Sequence, residues 1–304
     1  MSWKPEKEIE IIAGTPPGGG LDRAARALAQ AMRSVASEHP ARVVNIPGDG
    51  ARKCWETLER RAGDPHVVSI SSSNLATDHI LGLGRYHHER DFTPLAILYT
   101  EYIAFLARAG SFPDSGEKLL ERLGADAGSV TVALSTSLGN PNHIALAKVV
   151  RHAGGDVKAP KIRVFDSALD AVADVLAGTA DVCAVTAASA AKELEAGTMR
   201  ALAVSAPRRL HGAYAQAPTW AELAVDCVIG AWRGATGAGG LAAEPIAFWE
   251  GLLGAAVETP AWREELQRLY WTPSYVQGAT LREHLARERA EMTAILADLG
   301  LAKR

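Results

Sequence analysis

Two stretches of this chain concentrate groups that can hold a small anion or act on one. The first reads Gly14-Thr15-Pro16-Pro17-Gly18-Gly19-Gly20-Leu21-Asp22. The apolar run Ile9-Glu10-Ile11-Ile12-Ala13 precedes it, and a helical pattern begins at Leu21. A strand feeding a glycine-rich turn and then a helix leaves unpaired N–H groups at the helix start. Those donors and the helix dipole attract an anion. Pro17, Gly18, Gly19 and Gly20 also let a ligand approach the main chain, because the glycines carry no Cβ. The competing reading is a tight turn without a ligand. The pattern argues against a nucleotide. A P-loop needs a lysine and a Ser/Thr after its glycines, whereas Gly20 is followed by Leu21-Asp22-Arg23, and the third glycine of G-x-G-x-x-G is missing as well. For Asp22 two roles stay open: a first-turn carboxylate stabilised by the helix dipole, or an acceptor for a hydroxyl, ammonium or water.

The second stretch is Ser135-Thr136-Ser137-Leu138-Gly139-Asn140-Pro141-Asn142-His143. Ser135 or Ser137 with His143 suggests a nucleophile and its base, but no G-x-S-x-G elbow surrounds either serine. Hydroxyls, amides and exposed N–H groups at this density suit carboxylate capture without a nucleophile. A third polar turn, Ser71-Ser72-Ser73-Asn74, follows the apolar run Val67-Val68-Ser69-Ile70. Arg233, between Trp232 and Gly234, is the one well-placed guanidinium, able to grip a carboxylate or to form an interdomain salt bridge. His79, His87 and His88, near Asp78, Glu89 and Asp91, show no metal-ligand spacing and read as a solvated charged face. Glu101 and Tyr102 stand where the chain is expected to cross between domains, as hinge or cleft residues. Cys54, Cys183 and Cys227 are isolated and odd in number, as expected of buried, inert thiols. Neither a metal nor a cofactor is called for.

These loops need strands and helices to place them. From residue 9 to 70 the pattern is β-α-β-α-β, the mark of a parallel sheet covered by helices. Residues 95–98 and 102–106 read as two strands at a domain crossing. Asp114 with Glu117, Ser167 with Asp170, Thr219 with Glu222 and Thr280 with Glu283 match helix-start capping pairs. From Ser129 an α/β pattern begins again and runs to residue 205. After a second crossing at residues 231–234 the chain reads as helical to its end. In open parallel sheets ligands gather outside the carboxyl ends of the strands, where all three polar loops lie.

The 304 residues are 48% hydrophobic and 22% charged, which supports a sizeable core and two domains. A net charge of −3 gives no electrostatic case for nucleic acid or an anionic membrane. No window reaches the length of a membrane span. The polar start Met1-Ser2-Trp3-Lys4-Pro5-Glu6-Lys7 shows no signal peptide, so the expected location is periplasmic if a leader has been removed and cytoplasmic otherwise.

In their order and spacing, several segments together resemble the substrate-binding proteins of tripartite tricarboxylate transporters, the Bug receptors, over nearly the whole chain. They are Pro17-Gly18-Gly19-Gly20-Leu21-Asp22, Asn45-Ile46-Pro47-Gly48, Asp91-Phe92-Thr93-Pro94-Leu95, Gly139-Asn140-Pro141-Asn142-His143 and Ala177-Gly178-Thr179-Ala180-Asp181. Leu194-Glu195-Ala196-Gly197-Thr198-Met199-Arg200-Ala201-Leu202-Ala203-Val204-Ser205, followed by Ala217-Pro218-Thr219-Trp220, is the most telling. The resemblance implies an α/β, two-lobed Venus-flytrap fold of the periplasmic-binding-protein kind, each lobe a mostly parallel sheet flanked by helices. Lobe 1 would take residues 1–104 and 231–304, and lobe 2 residues 105–230. It also implies a receptor that closes on a small organic acid, a di- or tricarboxylate or an aromatic carboxylate, and delivers it to transporter membrane subunits or signals to a sensor. Mapped residue by residue, the ligand contacts are Pro17 to Gly20, Asp22, Ser72, Ser73, Asn74, Ser135, Ser137, Asn140, Asn142, His143, Asp166, Ala187 and, more weakly, Arg233. Two segments depart from the family: Pro47-Gly48-Asp49-Gly50-Ala51-Arg52 lacks the usual P-G-A-G-G, and Phe165-Asp166-Ser167 replaces a tyrosine and a lysine-glycine pair. The runner-up is a cytoplasmic hydrolase or lyase, or a ligand-dependent regulator, built on the same fold.

Overall fold

The computed structural model describes residues 3–302. The first strand β1 (Ile9–Ala13) is buried except at Glu10 and runs into α1 (Gly20–Val35). Leu21, Ala24, Ala25, Leu28, Ala31 and Met32 recur at helical spacing and form the buried face of α1. There follow β2 (Ala41–Asn45), α2 (Arg52–Glu59), β3 (Val67–Ser72) and the short helices α3 (Asn74–Ile80) and α4 (His88–Asp91). A single long strand, β4 (Thr93–Arg108), comes next. The chain continues through α5 (Gly116–Asp126), β5 (Thr131–Ser135), α6 (Pro141–His152), β6 (Lys161–Phe165), α7 (Ala168–Leu176), β7 (Val182–Thr186), α8 (Ala191–Glu195) and β8 (Met199–Val204). It ends with β9 (Gly230–Gly237), α9 (Ala243–Val257), α10 (Pro260–Arg268), β10 (Thr272–Gln277) and α11 (Gly278–Asp298).

The chain divides into two compact units. Unit 1 takes residues up to 100 and 232–294, and unit 2 takes 101–231 with 295–302. The last turn of α11 therefore falls in unit 2, whereas the sequence reading put the entire C-terminal stretch in lobe 1. In unit 1, β1 pairs in parallel with β2 and β3, β9 runs antiparallel to β3, and β10 runs antiparallel to the first half of β4. One cover of this sheet is aromatic: Tyr99 stacks on Trp271 with ring centres 3.9 Å apart, beside Trp262. In unit 2, β5 pairs in parallel with β6 and β7, and the second half of β4 lies antiparallel to β7 and β8. Phe105 meets Trp220 edge-to-face at 5.0 Å beneath it. In both units the parallel strands are joined by helical crossovers, so the loops after β1, β3, β5, β6 and β7 all leave carboxyl ends.

Several sequence expectations change. The two strands read at 95–98 and 102–106 are one continuous strand, whose first half pairs with β10 and whose second half pairs with β7 and β8. The C-terminal region is not wholly helical. Thr272–Gln277 forms β10, a bulged strand carrying a proline. Ser115 rather than Asp114 caps α5, accepting from the Lys118 N–H. Thr219 and Glu222 do make the reciprocal capping bonds, at 2.7 and 3.1 Å, but within a turn and not at a helix start. His88 and Asp78 are not on a solvated face: both are buried, and Asp78 pairs with Arg52 at 3.2 Å. Cys54, Cys183 and Cys227 are free and buried, and desolvation pushes each thiol up to about 12. Among the described residues no helix is long and apolar enough to cross a membrane.

Gly234 shows how tightly β9 is held. A Cβ there would stand 2.4 Å from the Ala96 carbonyl oxygen and 3.2 Å from the Trp232 ring. Gly234→Ala is expected to cost about 2 kcal/mol through overpacking. Urea unfolding measures it; an unchanged midpoint would contradict the close approach.

Candidate ligand-binding site

In unit 1 the glycine loop is organised from within. Asp22 is only 2% exposed, and both of its oxygens are taken. Oδ2 accepts from the Gly18 N–H at 2.8 Å and from Arg26 Nε at 3.0 Å, while Oδ1 accepts from Asn45 Nδ2 at 2.8 Å and lies 3.0 Å from Arg26 Nη2. These partners outweigh desolvation and hold the carboxyl below its ordinary pKa. Thr15 completes the latch: its hydroxyl accepts from the Asp22 N–H at 3.1 Å, and its carbonyl accepts from Asn45 Nδ2 at 2.9 Å. The Gly19 N–H turns back to the Pro16 carbonyl at 2.9 Å. Gly18 has φ of 82°, a conformation that favours glycine, and a Cβ on Gly19 would strike Thr15 at 2.6 Å.

That bonding leaves a defined remainder. Gly19 caps α1 with no side-chain hydrogen bond. Of the first-turn donors, Asp22 N is satisfied by Thr15, whereas Gly20 N and Leu21 N have no protein acceptor among the described residues. Arg233 approaches this end: its Nη2 is 3.7 Å from where a Gly20 Cβ would be. Arg233 is set there by the antiparallel register of β9 on β3, which places it opposite Ser72. Ser73, directly after Ser72, is 0% exposed, and its hydroxyl has no hydrogen-bond partner among the described residues. Asn74 then begins α3. Pro17 and Gly18 are exposed on the rim. Unit 1 thus combines two open amides, a guanidinium and a buried, unpaired hydroxyl around strand ends β1, β3 and β9.

In unit 2 the polar loop is closed on itself. Asn140 caps α6 by accepting from the His143 N–H at 3.0 Å, and its Nδ2 donates to the Ser135 carbonyl and to Thr136 Oγ1, both at 2.7 Å. Asn142 Nδ2 donates to Ser135 Oγ at 3.1 Å. The Gly139 N–H donates to His143 Nδ1 at 2.8 Å, which leaves that ring neutral with its proton on Nε2. Burial agrees, lowering the His143 pKa to about 4. Ser135 and His143 are therefore tied to different partners, Asn142 and Gly139, and do not form a nucleophile–base pair. Ser137 is buried in the same loop. Asp166 is exposed just past β6, next to Phe165, whose carbonyl accepts from the Thr136 N–H at 2.7 Å. Ala187 is buried at the end of β7, and its carbonyl accepts from the Tyr214 hydroxyl at 2.7 Å. Among the described residues no cluster of three His, Cys, Asp or Glu side chains is arranged to hold a metal ion.

No family model matches the chain. It is 27% identical over 221 residues to the UPF0065 protein in the tcbD-tcbE intergenic region of Pseudomonas sp. (strain P51), a stretch covering 72% of this chain and 64% of that protein. To BugT of Bordetella pertussis it is 26% identical over 223 residues, 72% of this chain and 66% of BugT. In both cases slightly less than two thirds of the relative's length is matched. Among solved structures, a TctC solute binding protein from Polaromonas, without ligand, superposes with a TM-score of 0.69 at 26% identity, over 97% of this chain and 99% of that one. The chain is similar to Bug and TctC solute-binding proteins. The periplasmic binding protein BugD has a TM-score of 0.87 at 18% identity, over 99% of this chain and 100% of BugD. A Rhodopseudomonas palustris protein solved with adipate has 0.88 at 18% identity, over 98% and 99%. The α/β fold is that of the two-lobed periplasmic binding proteins, and the chain's similarity is to solute-binding proteins rather than to enzymes.

Sequence reasoning picked out Asp22 but not Thr15 or Asn45, which hold it. Asn45 lies 23 residues away, so only the parallel pairing of β1 with β2 brings it within reach. Asp22→Asn would replace one acceptor oxygen with a donor facing donors, and is expected to cost about 2 kcal/mol; urea unfolding measures the loss, and a variant as stable as wild type would contradict the latch. For His143 the sign follows from its lowered folded pKa. The imidazole stays neutral in the fold while an unfolded one gains a proton below about 6.5. Its stability contribution is therefore full above that pH and disappears as pH falls toward 4, a loss of up to about 3 kcal/mol. His143→Asn should flatten that part of the stability–pH profile; equal acid sensitivity in both proteins would refute the assignment.

Proposed function

We propose that this chain is a solute-binding receptor for a small organic acid. The observation that carries the reading is the open amino end of α1: among the described residues Gly20 N–H and Leu21 N–H have no acceptor, and the Arg233 guanidinium lies beside them. A carboxylate placed there would accept from both amides and from the guanidinium, which are charge-assisted bonds at a positive dipole end. Ser73 Oγ is a further candidate donor. Asp22 acts here as the organiser of the loop, its oxygens engaged by Gly18, Asn45 and Arg26. Within unit 2, Ser137, His143 through Nε2–H, Asp166 and the backbone near Ala187 are the candidate ligand contacts. Ser135, Asn140 and Asn142 keep that loop in shape.

Resemblance to TctC and Bug proteins, and adipate in a protein of the same fold, support an organic acid as cargo. By the same reasoning we assign the protein to the periplasm, delivering its ligand to the membrane subunits of a tripartite tricarboxylate-type transporter. Calorimetric titration with a panel of mono-, di- and tricarboxylates and aromatic carboxylates tests the reading. At least one should bind saturably and be recovered unchanged, and Arg233→Ala should weaken it roughly tenfold to a hundredfold, as expected for losing charged hydrogen bonds worth about 1.5–3 kcal/mol. No binding at millimolar acid, or full affinity in Arg233→Ala, would overturn it.

A further inference from the structure

Trp232 and Arg233 are consecutive on β9, so their side chains leave opposite faces of the strand. Trp232 is 4% exposed and packs with Ile97, Leu281 and Leu285. Its indole N–H donates to both carboxylate oxygens of Glu288 on α11, each at 2.7 Å. The His88 ring stacks on the indole, 5.9 Å away with the planes 13° apart. His88 is fixed in turn, its Nε2 2.9 Å from Thr236 Oγ1, whose hydroxyl donates to Ser71 Oγ at 2.7 Å. The indole therefore has one available orientation. Arg233 is tied to the same residue, since its Nη1 donates to the Trp232 carbonyl oxygen at 3.1 Å. A rotation of Trp232 about the strand would carry that carbonyl, and the guanidinium bonded to it, away from Gly20.

We propose that Glu288 is the positioning residue of the anion site: by clamping the Trp232 indole it keeps Arg233 over the amino end of α1. This rests on the assignment of Gly20, Leu21 and Arg233 to the ligand carboxylate. A carboxylate is a costly group to enclose here, and burial pushes Glu288 up to about 7 even with the indole bond in place. Arg289, the next residue, does not neutralise it; that side chain bonds His87 and lies 3.8 Å from Glu89. Two equal short contacts to one N–H centre the indole, and an acceptor oxygen at this position is what the clamp requires. Glu288→Gln retains one, while Glu288→Leu and Trp232→Phe remove the bond from either side.

The Nε of Arg233 is buried, so its N–H reports directly on whether the side chain is held. Nitrogen-15 NMR of the arginine Nε–H groups, with the Arg233 signal assigned by its loss in Arg233→Lys, tests the proposal without needing the natural ligand. In Glu288→Leu and in Trp232→Phe the Arg233 signal should shift and its hydrogen exchange should quicken at least tenfold; in Glu288→Gln both should stay near wild type. An unmoved Arg233 signal in Trp232→Phe, with only the melting temperature lowered, would reduce Glu288 to a structural role and overturn the proposal. So would a Glu288→Gln variant as loose as the others. If Glu288→Leu does not fold, Trp232→Phe decides. Adding acetate, a bare carboxylate, separates the two claims: an Arg233 signal that acetate leaves in place in wild type counts against the site, while the exchange rates continue to judge the clamp.

Discussion

The candidate site depends on one buried carboxylate. Asp22 ties the Gly18 amide, the Asn45 amide and the Arg26 guanidinium to a single point inside the first turn of α1. Without it, a loop containing three successive glycines would sample many conformations, because glycine gives up more backbone freedom than any other residue on being ordered. With it, the loop can end in an uncapped helix whose first amides stay available. A serine or asparagine at the N-cap would have added stability and closed the site. Gly19 stands there instead, and Asp22 supplies the order from three residues further on.

The two units solve the same local problem differently. Both place a polar loop between a parallel strand and a helix. In unit 2 the loop is satisfied internally, with Asn140 capping α6 and the Gly139 amide closed by His143. In unit 1 the internal bonds stop one step short, and a guanidinium from β9 is brought up to the opening. The contrast is between a loop that leaves two backbone N–H groups without an acceptor among the described residues and one whose amides and side chains bond one another. The long strand β4, whose two halves join different units, lets one polypeptide carry both designs.

Much of this was legible in the sequence because the signals are local. Alternating strand, loop and helix patterns stand in residues 9–70 and again from 129 to 205, and the missing lysine after Gly20 argues against a P-loop. What escaped depends on distant partners. Asn45 and Thr15 have no property in sequence that predicts a bond to Asp22. Trp232 and Glu288 are 56 residues apart, and only the packing of α11 beside β9 joins them. His88 sits among charged neighbours in a four-residue helix, so composition suggested solvent where the ring is in fact stacked on Trp232. β10 was missed because Thr272-Pro273-Ser274-Tyr275 lacks apolar alternation and the strand is bulged. Thr219 and Glu222 show the opposite error: the capping chemistry is present, but no helix follows it.

The central claim is that a ligand carboxylate sits on the first amides of α1. Backbone amide NMR during titration with an organic acid that binds tests it most directly. The Gly20 and Leu21 N–H resonances should move downfield together and saturate with the calorimetric affinity, while Gly18, already bonded to Asp22, moves little. Saturable binding that leaves the Gly20 and Leu21 resonances in place would contradict it.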